Sequence, residues 1–184
     1  MRIVAGAWRG RTLIAPRGVV TRPTADRVRQ ALFDMLLHAP WGGRDVLEGA
    51  NVLDIFAGTG AYGLEALSRG AARATFVEND RAALVALRTN IAGCRAQECS
   101  TVLAIDALAI PSGEPASLVF LDPPYGNDLI PRTLARLRAV DRVARDALLI
   151  AETARDEPAP ASAPLVAERL HGAARVRIWR ETRN

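Results

Sequence analysis

Residues 51–63 read NVLDIFAGTGAYG, a short apolar run that passes through three glycines into a helical pattern. Gly58, Gly60 and Gly63 have the spacing of a nucleotide-binding turn, in which glycines let a ligand approach the backbone at a helix N-terminus. Residues 74–78, ATFVE, then supply a second strand. The stretch therefore predicts a βαβ unit with a ligand site at the carboxyl ends of its strands.

Short apolar runs alternate with helical patterns along the rest of the chain. The predicted elements are strands over 51–55, 74–78, 101–105, 118–121 and 147–151, helices over 62–69, 81–92 and 129–137, and two final extended stretches over 165–170 and 175–179. This alternation predicts an α/β fold in which mostly parallel strands are covered by helices on both faces. A Pro- and Ala-rich segment, residues 157–164, is interpreted as a loop before the last two strands.

The first quarter of the chain is strongly basic. Residues 1–44 carry eight arginines against two aspartates, whereas the remainder has sixteen basic and eighteen acidic residues. Residues 2–14 predict a hairpin of two short strands, and Thr24 is the predicted N-cap of the helix that follows. Because arginines on phosphates release counterions and steer association, this extension favours nucleic acid over a merely solvated basic surface. The predicted RNA contacts are Arg2, Trp8, Arg9, Arg11, Arg22, Thr24, Arg27 and Arg29, with packing inside the hairpin an equal alternative for Trp8.

Length and composition limit the class of protein. With 184 residues, of which 49% are hydrophobic, the chain can bury one sizeable core. We expect one compact unit made of the extension, residues 1–44, and a catalytic domain over residues 45–184. No apolar run is long enough to span a membrane and the start lacks signal-peptide features, so a cytoplasmic protein is expected. Cys94 and Cys99 have no histidine nearby, and neither a disulfide nor a metal site is expected.

Acidic residues follow the predicted strands and point to the ligand. Asp54 lies at the end of the first strand, where a carboxylate repels a pyrophosphate but favours a ligand with an ammonium and a sulfonium. Glu78 ends the second strand, where it can accept hydrogen bonds from ribose hydroxyls. Both features favour S-adenosylmethionine. Asp106 is a candidate acceptor for its adenine amino group, with a capping or solvated role as an equal alternative. The predicted cofactor site comprises Asp54, Phe56, Gly58, Thr59, Gly60, Glu78, Asn79, Asp106 and Ala107.

A second motif follows the strand at 118–121, where the chain reads DPPYG over residues 122–126. Two prolines make a stiff turn whose carbonyls have no competing amide donors, and Asp122 adds a further acceptor. An exocyclic base amine is a poor nucleophile, so acceptors that favour a tetrahedral nitrogen promote its methylation. The predicted catalytic residues are therefore Asp122, Pro123, Pro124 and Tyr125, with the Tyr125 ring available to stack on a flipped base.

These motifs resemble those of a known family. DPPY over residues 122–125 is the amino-methyltransferase signature, and nearly the whole chain resembles the bacterial small-subunit ribosomal RNA guanine-N2 methyltransferases of the RsmD type. The segments that carry the more specific resemblance are RIVAGAWRGR at 2–11, RPTADRVR at 22–29, FAGTG at 56–60 and GLEALSRG at 63–70.

The resemblance implies a Rossmann-like class I methyltransferase with a seven-stranded sheet of order 3-2-1-4-5-7-6 and S-adenosylmethionine as its cofactor. It implies that the acceptor is N2 of a guanine in 16S rRNA, guanine 966 in the usual rRNA numbering. The partner would be an assembled or assembling 30S subunit, and we expect a monomer.

Other functions remain open from the sequence alone. An amino-methyltransferase acting on another RNA, or on DNA adenine or cytosine, would use the same tetrapeptide, although 184 residues leave little room for a separate DNA-reading domain. A nicotinamide-dependent oxidoreductase would use the glycine turn, but Asp54 counts against it. A nonenzymatic RNA-binding assembly factor that keeps the fold is the third alternative.

Overall fold

The computed structural model describes residues 1–16, 23–124, 128–154, 164–171 and 174–182. Within these ranges the helices are α1 (Pro23–His38), α2 (Ala61–Ser68), α3 (Arg81–Cys94) and α4 (Leu129–Ala139). The strands are β1 (Asn51–Ile55), β2 (Arg73–Val77), β3 (Ser100–Leu103), β4 (Ala116–Leu121), β5 (Val143–Ala154), β6 (Leu165–His171) and β7 (Ala174–Arg180). The predicted catalytic residue Tyr125, the predicted RNA contact Arg22 and most of the Pro- and Ala-rich segment lie outside the described residues.

The strands form one sheet of order β3-β2-β1-β4-β5-β7-β6. Strands β1 to β5 pair in parallel, whereas β7 lies antiparallel between β5 and β6. This confirms the α/β class and the strand order that the resemblance implies. Since β1 has β2 on one side and β4 on the other, the strand order reverses beside β1, which is where open α/β sheets bind their ligands.

Apolar side chains cover both faces of the sheet. On one face, Leu118 and Phe120 of β4 belong to a core shared with α1, α2 and α3, and the Phe120 ring centroid is 5.7 Å from that of Phe33 on α1. On the other face, Val119 and Leu121 pack with the apolar side of α4. The helices thus enclose a sheet whose central strands are buried on both sides, as expected for parallel strands.

The N-terminal arm, residues 1–16, differs from the predicted hairpin. Arg2 and Thr12 form a single antiparallel bridge, and the backbone amide of Ile3 donates to the carbonyl of Arg11 over 2.9 Å. Gly6 and Gly10 adopt positive φ between these positions, so the chain turns instead of extending the ladder. The two predicted strands are therefore wrong as strands, although the two ends of the arm do pair.

One buried carboxylate fastens the arm to α2. Glu65 is fully buried, and its two oxygens accept the amides of Val4 and Ala5 over 2.8 and 3.0 Å. The same carboxylate pairs with Arg69 at 2.7 Å and with Arg29 of α1 at 3.5 Å. A buried charge is tolerated only when it is paired and hydrogen-bonded, and these four partners meet that requirement.

Two further polar side chains hold the arm in place. The Ser68 hydroxyl donates to the carbonyl of Ala5 and accepts the Trp8 amide. Asn90 on α3 forms a pair of hydrogen bonds with the backbone of Ile14 and also donates to the carbonyl of Thr59 in the glycine turn. The arm is thus joined by hydrogen bonds to both helices that flank the turn.

Two sequence predictions in this region are corrected. Arg29 was expected to contact RNA, but its residue is only 2% exposed and its guanidinium donates to Asp26 and the carbonyl of Arg2 besides facing Glu65. It therefore holds α1 and the arm together. Helix α1 begins at Pro23, so Thr24 lies in its first turn and is not its N-cap. Proline suits the first helical position because its fixed φ matches the helix and its missing N–H is not needed there.

No helix in the described part of the chain is long and apolar enough to cross a membrane.

We predict that Glu65→Ala lowers the free energy of unfolding by about 3–5 kcal/mol, because it leaves two buried guanidinium groups and two amides without their acceptor. Urea unfolding measures this loss, and hydrogen exchange at Val4 and Ala5 should speed up in the variant. The exposed Glu48→Ala serves as a control with little expected effect. A loss below about 1 kcal/mol would contradict the assigned role of Glu65.

Candidate active site

The glycine turn after β1 places backbone close to an open space. Phe56 has a φ of 62°, and Gly58 and Gly60 have φ of 55° and 79°. A Cβ added to Gly60 or Gly63 would lie 2.5 or 2.4 Å from buried side chains, so these glycines allow α2 to pack closely on β2 and α3. A Cβ on Gly58 would meet no atom nearer than 3.9 Å, so Gly58 borders free space. The turn therefore serves both close packing and access for a ligand.

Asp54 lies beneath the turn and not on its open side. Its side chain is buried, and Oδ2 accepts the amide of Gly63 in the first turn of α2 over 2.9 Å. Burial raises the pKa of this carboxyl to about 8, against the Gly63 hydrogen bond, and the nearby carboxylates of Asp122 and Glu78 raise it further. Asp54 thus does not line the cavity described below, and it holds the first turn of α2 from behind through the Gly63 amide.

Glu78 secures the turn to the end of β2. Its Oε2 accepts the amide of Gly58 over 2.8 Å, and its Oε1 accepts the amides of Asn79 and Asp80, each over 2.8 Å. A carboxylate can accept about four hydrogen bonds. Three of these positions on Glu78 are taken by backbone amides, so about one is left for a ligand. Its side chain is half-buried at the rim of a cavity.

A cavity of about 420 Å³ lies over the carboxyl ends of β1, β2 and β4. It brings together seven of the predicted site residues: Phe56, Glu78, Asn79, Asp106, Ala107, Asp122 and Pro124. Asp80, which the sequence analysis missed, also lines it, and its carboxylate caps α3 by accepting the Ala83 amide over 2.8 Å. The described residues that line the cavity include four acids and no base, which fits a ligand with cationic and hydroxyl groups and disfavours a pyrophosphate.

Other predicted residues take different positions. The carboxylate of Asp106 accepts the Leu108 amide over 2.7 Å, so of the two roles left open by the sequence the capping role is present, while the residue also lines the cavity. Thr59 turns away from the cavity, towards Met1 of the arm. Of the turn residues, Phe56 lines the cavity and Thr59 does not.

The Asp122-Pro123-Pro124 turn begins where β4 ends, beside β1. The Asp122 amide approaches the carbonyl of Ile55 at 3.5 Å, Pro123 is buried, and the side chains of Asp122 and Pro124 are exposed. Although the Asp122 side chain is open to solvent on one side, surrounding protein atoms desolvate its carboxyl, and this raises the pKa of Asp122. The negative charge of Glu152 raises it further.

The sequence analysis missed two residues next to Asp122. The Tyr62 hydroxyl donates to Oε2 of Glu152 over 3.1 Å, and its ring stacks on Phe120 with 5.2 Å between centroids and 14° between planes. Burial, followed by the charges of Asp122 and Glu152, raises the pKa of Tyr62. An acidic residue directly after the predicted strand at 147–151 was the signal available for Glu152, whereas Tyr62 carried no signal beyond a helical position.

A groove of about 450 Å³ separates the arm from α1. Arg2, Arg9 and Arg27 line it with exposed side chains, together with Asp26 and Asp34. Of the other predicted RNA contacts, Arg11 is exposed and donates to the carbonyl of Gly93 on α3, and Trp8 is half-buried against the core. Three exposed guanidinium groups, those of Arg2, Arg9 and Arg27, thus gather around one groove, which suits binding to a polyanion.

This sheet order, with one antiparallel strand, a glycine turn after β1 and acidic residues at the strand ends, defines the class I methyltransferases. A family model described as "Conserved hypothetical protein 95" matches residues 1–180, and the chain belongs to that family, the RsmD type.

Named relatives and a solved structure agree with the assignment of the chain to this family. The chain is 40% identical to "Ribosomal RNA small subunit methyltransferase D" of Escherichia coli (strain K12), over 97% of this chain and 89% of that protein. It is 33% identical to the protein of the same name from Haemophilus influenzae, over 97% of this chain and 93% of that protein. A solved structure described as a putative methyltransferase yhhF from Escherichia coli superposes with a TM-score of 0.85 at 37% identity, covering 100% of this chain and 99% of that one.

We predict that Asp54→Asn weakens the dependence of stability on pH. In the folded protein the pKa of Asp54 is raised from 3.8 to about 8, so the folded state holds a proton that the unfolded chain releases, and the free energy of unfolding falls as pH rises through this window. The Asn side chain keeps an acceptor for Gly63 but has no proton to lose. Urea unfolding at about pH 5 and about pH 8 should therefore show a smaller loss in the variant.

The matched control is the exposed Asp45→Asn, which should lose stability with pH as the unmodified protein does. Equal losses in Asp54→Asn and in this control would contradict the raised pKa of Asp54.

Proposed function

We propose that the protein transfers a methyl group from S-adenosylmethionine to the exocyclic N2 of a guanine in small-subunit ribosomal RNA. The observation that carries this proposal is the Asp122-Pro123-Pro124 turn, which opens onto a cavity whose charged lining is entirely acidic among the described residues. The names of the Escherichia coli and Haemophilus influenzae relatives support ribosomal RNA of the small subunit as the substrate.

The cavity suits S-adenosylmethionine, which supplies a methyl group activated by a sulfonium. Glu78 would accept from the ribose hydroxyls and Asp106 from the adenine amino group, with Phe56, Asn79 and Ala107 as neighbouring walls. The open side of Gly58 would let the ligand approach the turn. The Asp54 carboxyl lies beneath the turn and accepts the Gly63 amide, so it would hold the turn in place for the ligand.

Catalysis rests on hydrogen-bond acceptors at the end of β4. The Asp122 carboxylate and the Pro123 carbonyl would accept the two N2 protons of guanine, which holds the nitrogen lone pair towards the methyl group. As N2 acquires the methyl group it becomes acidic, and Asp122 accepts a proton from it. The raised pKa of Asp122 suits this role, because a proton acceptor works best when its pKa lies near the working pH. Pro124 stiffens the turn and the Tyr125 ring would stack on the base.

The arm would hold the RNA. Arg2, Arg9, Arg11 and Arg27 present exposed guanidinium groups, and residues 1–44 would act as the RNA-binding extension of the catalytic domain at 45–184. We assign guanine 966 as the target, within an assembled or assembling 30S subunit in the cytoplasm, and a monomer as the active form. Arg29 is excluded from this surface because it is buried.

We predict that methyl transfer from labelled S-adenosylmethionine to unmodified small subunits yields N2-methylguanosine, identified by nucleoside mass spectrometry. Asp122→Asn should lower the rate at least about 100-fold, since the amide cannot accept the proton. The exposed Asp45→Asn is the matched control and should keep full activity.

Free ribosomal RNA and DNA serve as parallel substrates, and thermal melts with S-adenosylmethionine or NAD test the cofactor. Label only in DNA, product only as methyladenosine, or stabilisation by NAD alone would overturn the proposal.

We predict that Arg9→Ala and Arg27→Ala each weaken binding to small-subunit RNA. Each should also lower by about one the slope of the logarithm of the binding constant against the logarithm of salt concentration, because one phosphate contact is lost. The control is Arg132→Ala, an exposed arginine on α4, which covers the opposite face of the sheet. Binding by the two arm variants that equals binding by this control would show that the arm does not hold the RNA.

A further inference from the structure

Asp122 and Glu152 lie opposite each other at the carboxyl ends of two neighbouring parallel strands, Asp122 just after β4 and Glu152 near the end of β5. Leu121 of β4 pairs with Ala151 of β5. Asp122 is the residue after Leu121, and Glu152 is the residue after Ala151. Neighbouring strands lie about 4.8 Å apart, which places the two carboxylates side by side at one edge of the sheet. Asp122 lines the cavity of the proposed methyl-transfer site, and Glu152 lies beside it on the next strand.

Aromatic packing fixes the direction of Glu152. Its Oε2 accepts the Tyr62 hydroxyl over 3.1 Å, and the Tyr62 ring is held flat against Phe120. Phe120 in turn packs on Phe33 of α1. Glu152 remains half-buried, so part of its side chain is exposed to solvent.

The placement costs electrostatic energy. Burial is the largest cause of the raised pKa values of Asp54 and Asp122, and the carboxylates beside them on adjacent strands raise both pKa values further. A glutamine could accept the Tyr62 hydroxyl equally well without this repulsion. A like charge kept beside a proton acceptor is typical of a functional site.

We propose that Glu152 determines the specificity for guanine, by accepting the N1–H of the base while Asp122 and the Pro123 carbonyl hold its N2 amine. The Watson–Crick edge of guanine carries two adjacent donors, N1–H and N2–H, which match two adjacent carboxylates. Adenine and cytosine place an unprotonated ring nitrogen next to their amine, and a carboxylate repels that lone pair. This inference rests on the proposed function, and Tyr62 acts as a positioning residue for Glu152.

The test uses small subunits that carry either guanine or 2-aminopurine at the position where the unmodified protein is found to place its methyl group. The probe 2-aminopurine keeps the exocyclic amine at C2 but has a ring-nitrogen acceptor in place of N1–H. Methylated product of each base is quantified by nucleoside mass spectrometry, and kcat/KM is compared between the two substrates for each variant.

The unmodified protein should prefer guanine by about tenfold or more, as expected for one hydrogen bond to a charged group. Glu152→Gln should reduce that preference to about threefold or less, because its amide can donate to the 2-aminopurine ring nitrogen. Tyr62→Phe keeps the stacked ring but loses the hydroxyl, and should also lower the preference. The matched control is Glu114→Gln, an exposed carboxylate near the amino ends of the strands, which should leave the preference unchanged.

A Glu152→Gln protein that melts normally and keeps the original preference for guanine would overturn the inference while leaving the proposed function intact. If Glu152→Gln fails to fold, an unchanged preference in Tyr62→Phe would overturn it instead. Absence of methyl transfer to guanine by the unmodified protein would refute the proposed function, and this inference with it.

Discussion

The in-register pairing of β4 between β1 and β5 is the constraint on which the rest of the site depends. Asp54 pairs with Phe120, and Phe120 with Ile150, so that side chains two residues apart on these strands share one face of the sheet. An acidic residue lies at the carboxyl end of each of the three strands: Asp54 on β1, Asp122 just after β4 and Glu152 on β5. Their mutual repulsion is offset by the Gly63 amide and the Tyr62 hydroxyl. A ligand with cationic and donor groups would relieve what repulsion remains.

Helix α2 links this edge of the sheet to the arm. Its first turn contains Gly63, which donates to Asp54, and its second half carries Glu65 and Ser68, which hold the arm. Asn90 adds a second connection, since it bonds to the arm at Ile14 and to the glycine turn at Thr59. The proposed RNA-binding surface and the proposed cofactor turn are thus attached to the same rigid elements, which would keep a bound base and a bound methyl donor in a fixed relation.

Local patterns were sufficient to predict most of the fold. The bounds of β1 follow from its apolar run, and the glycine turn and the DPP turn from residue types that permit few other conformations. Long-range partners were not predictable in this way. Glu65 and Arg29 are residue types that usually lie on the solvated surface of a helix. Only the folded arm shows that they are buried together. The hairpin prediction failed because two glycines turn the arm, and Tyr62 gained its role from a strand ninety residues away.

The most direct test of the central claim is a crystal structure of the protein with bound S-adenosylhomocysteine. We expect adenosine in the cavity between Glu78 and Asp106, with the sulfur directed towards the Asp122-Pro123-Pro124 turn and the free side of Gly58 against the ligand. We also expect the arm to keep its hydrogen bonds to Glu65. A ligand bound in the groove beside α1, or with its sulfur directed away from Asp122, would contradict the account.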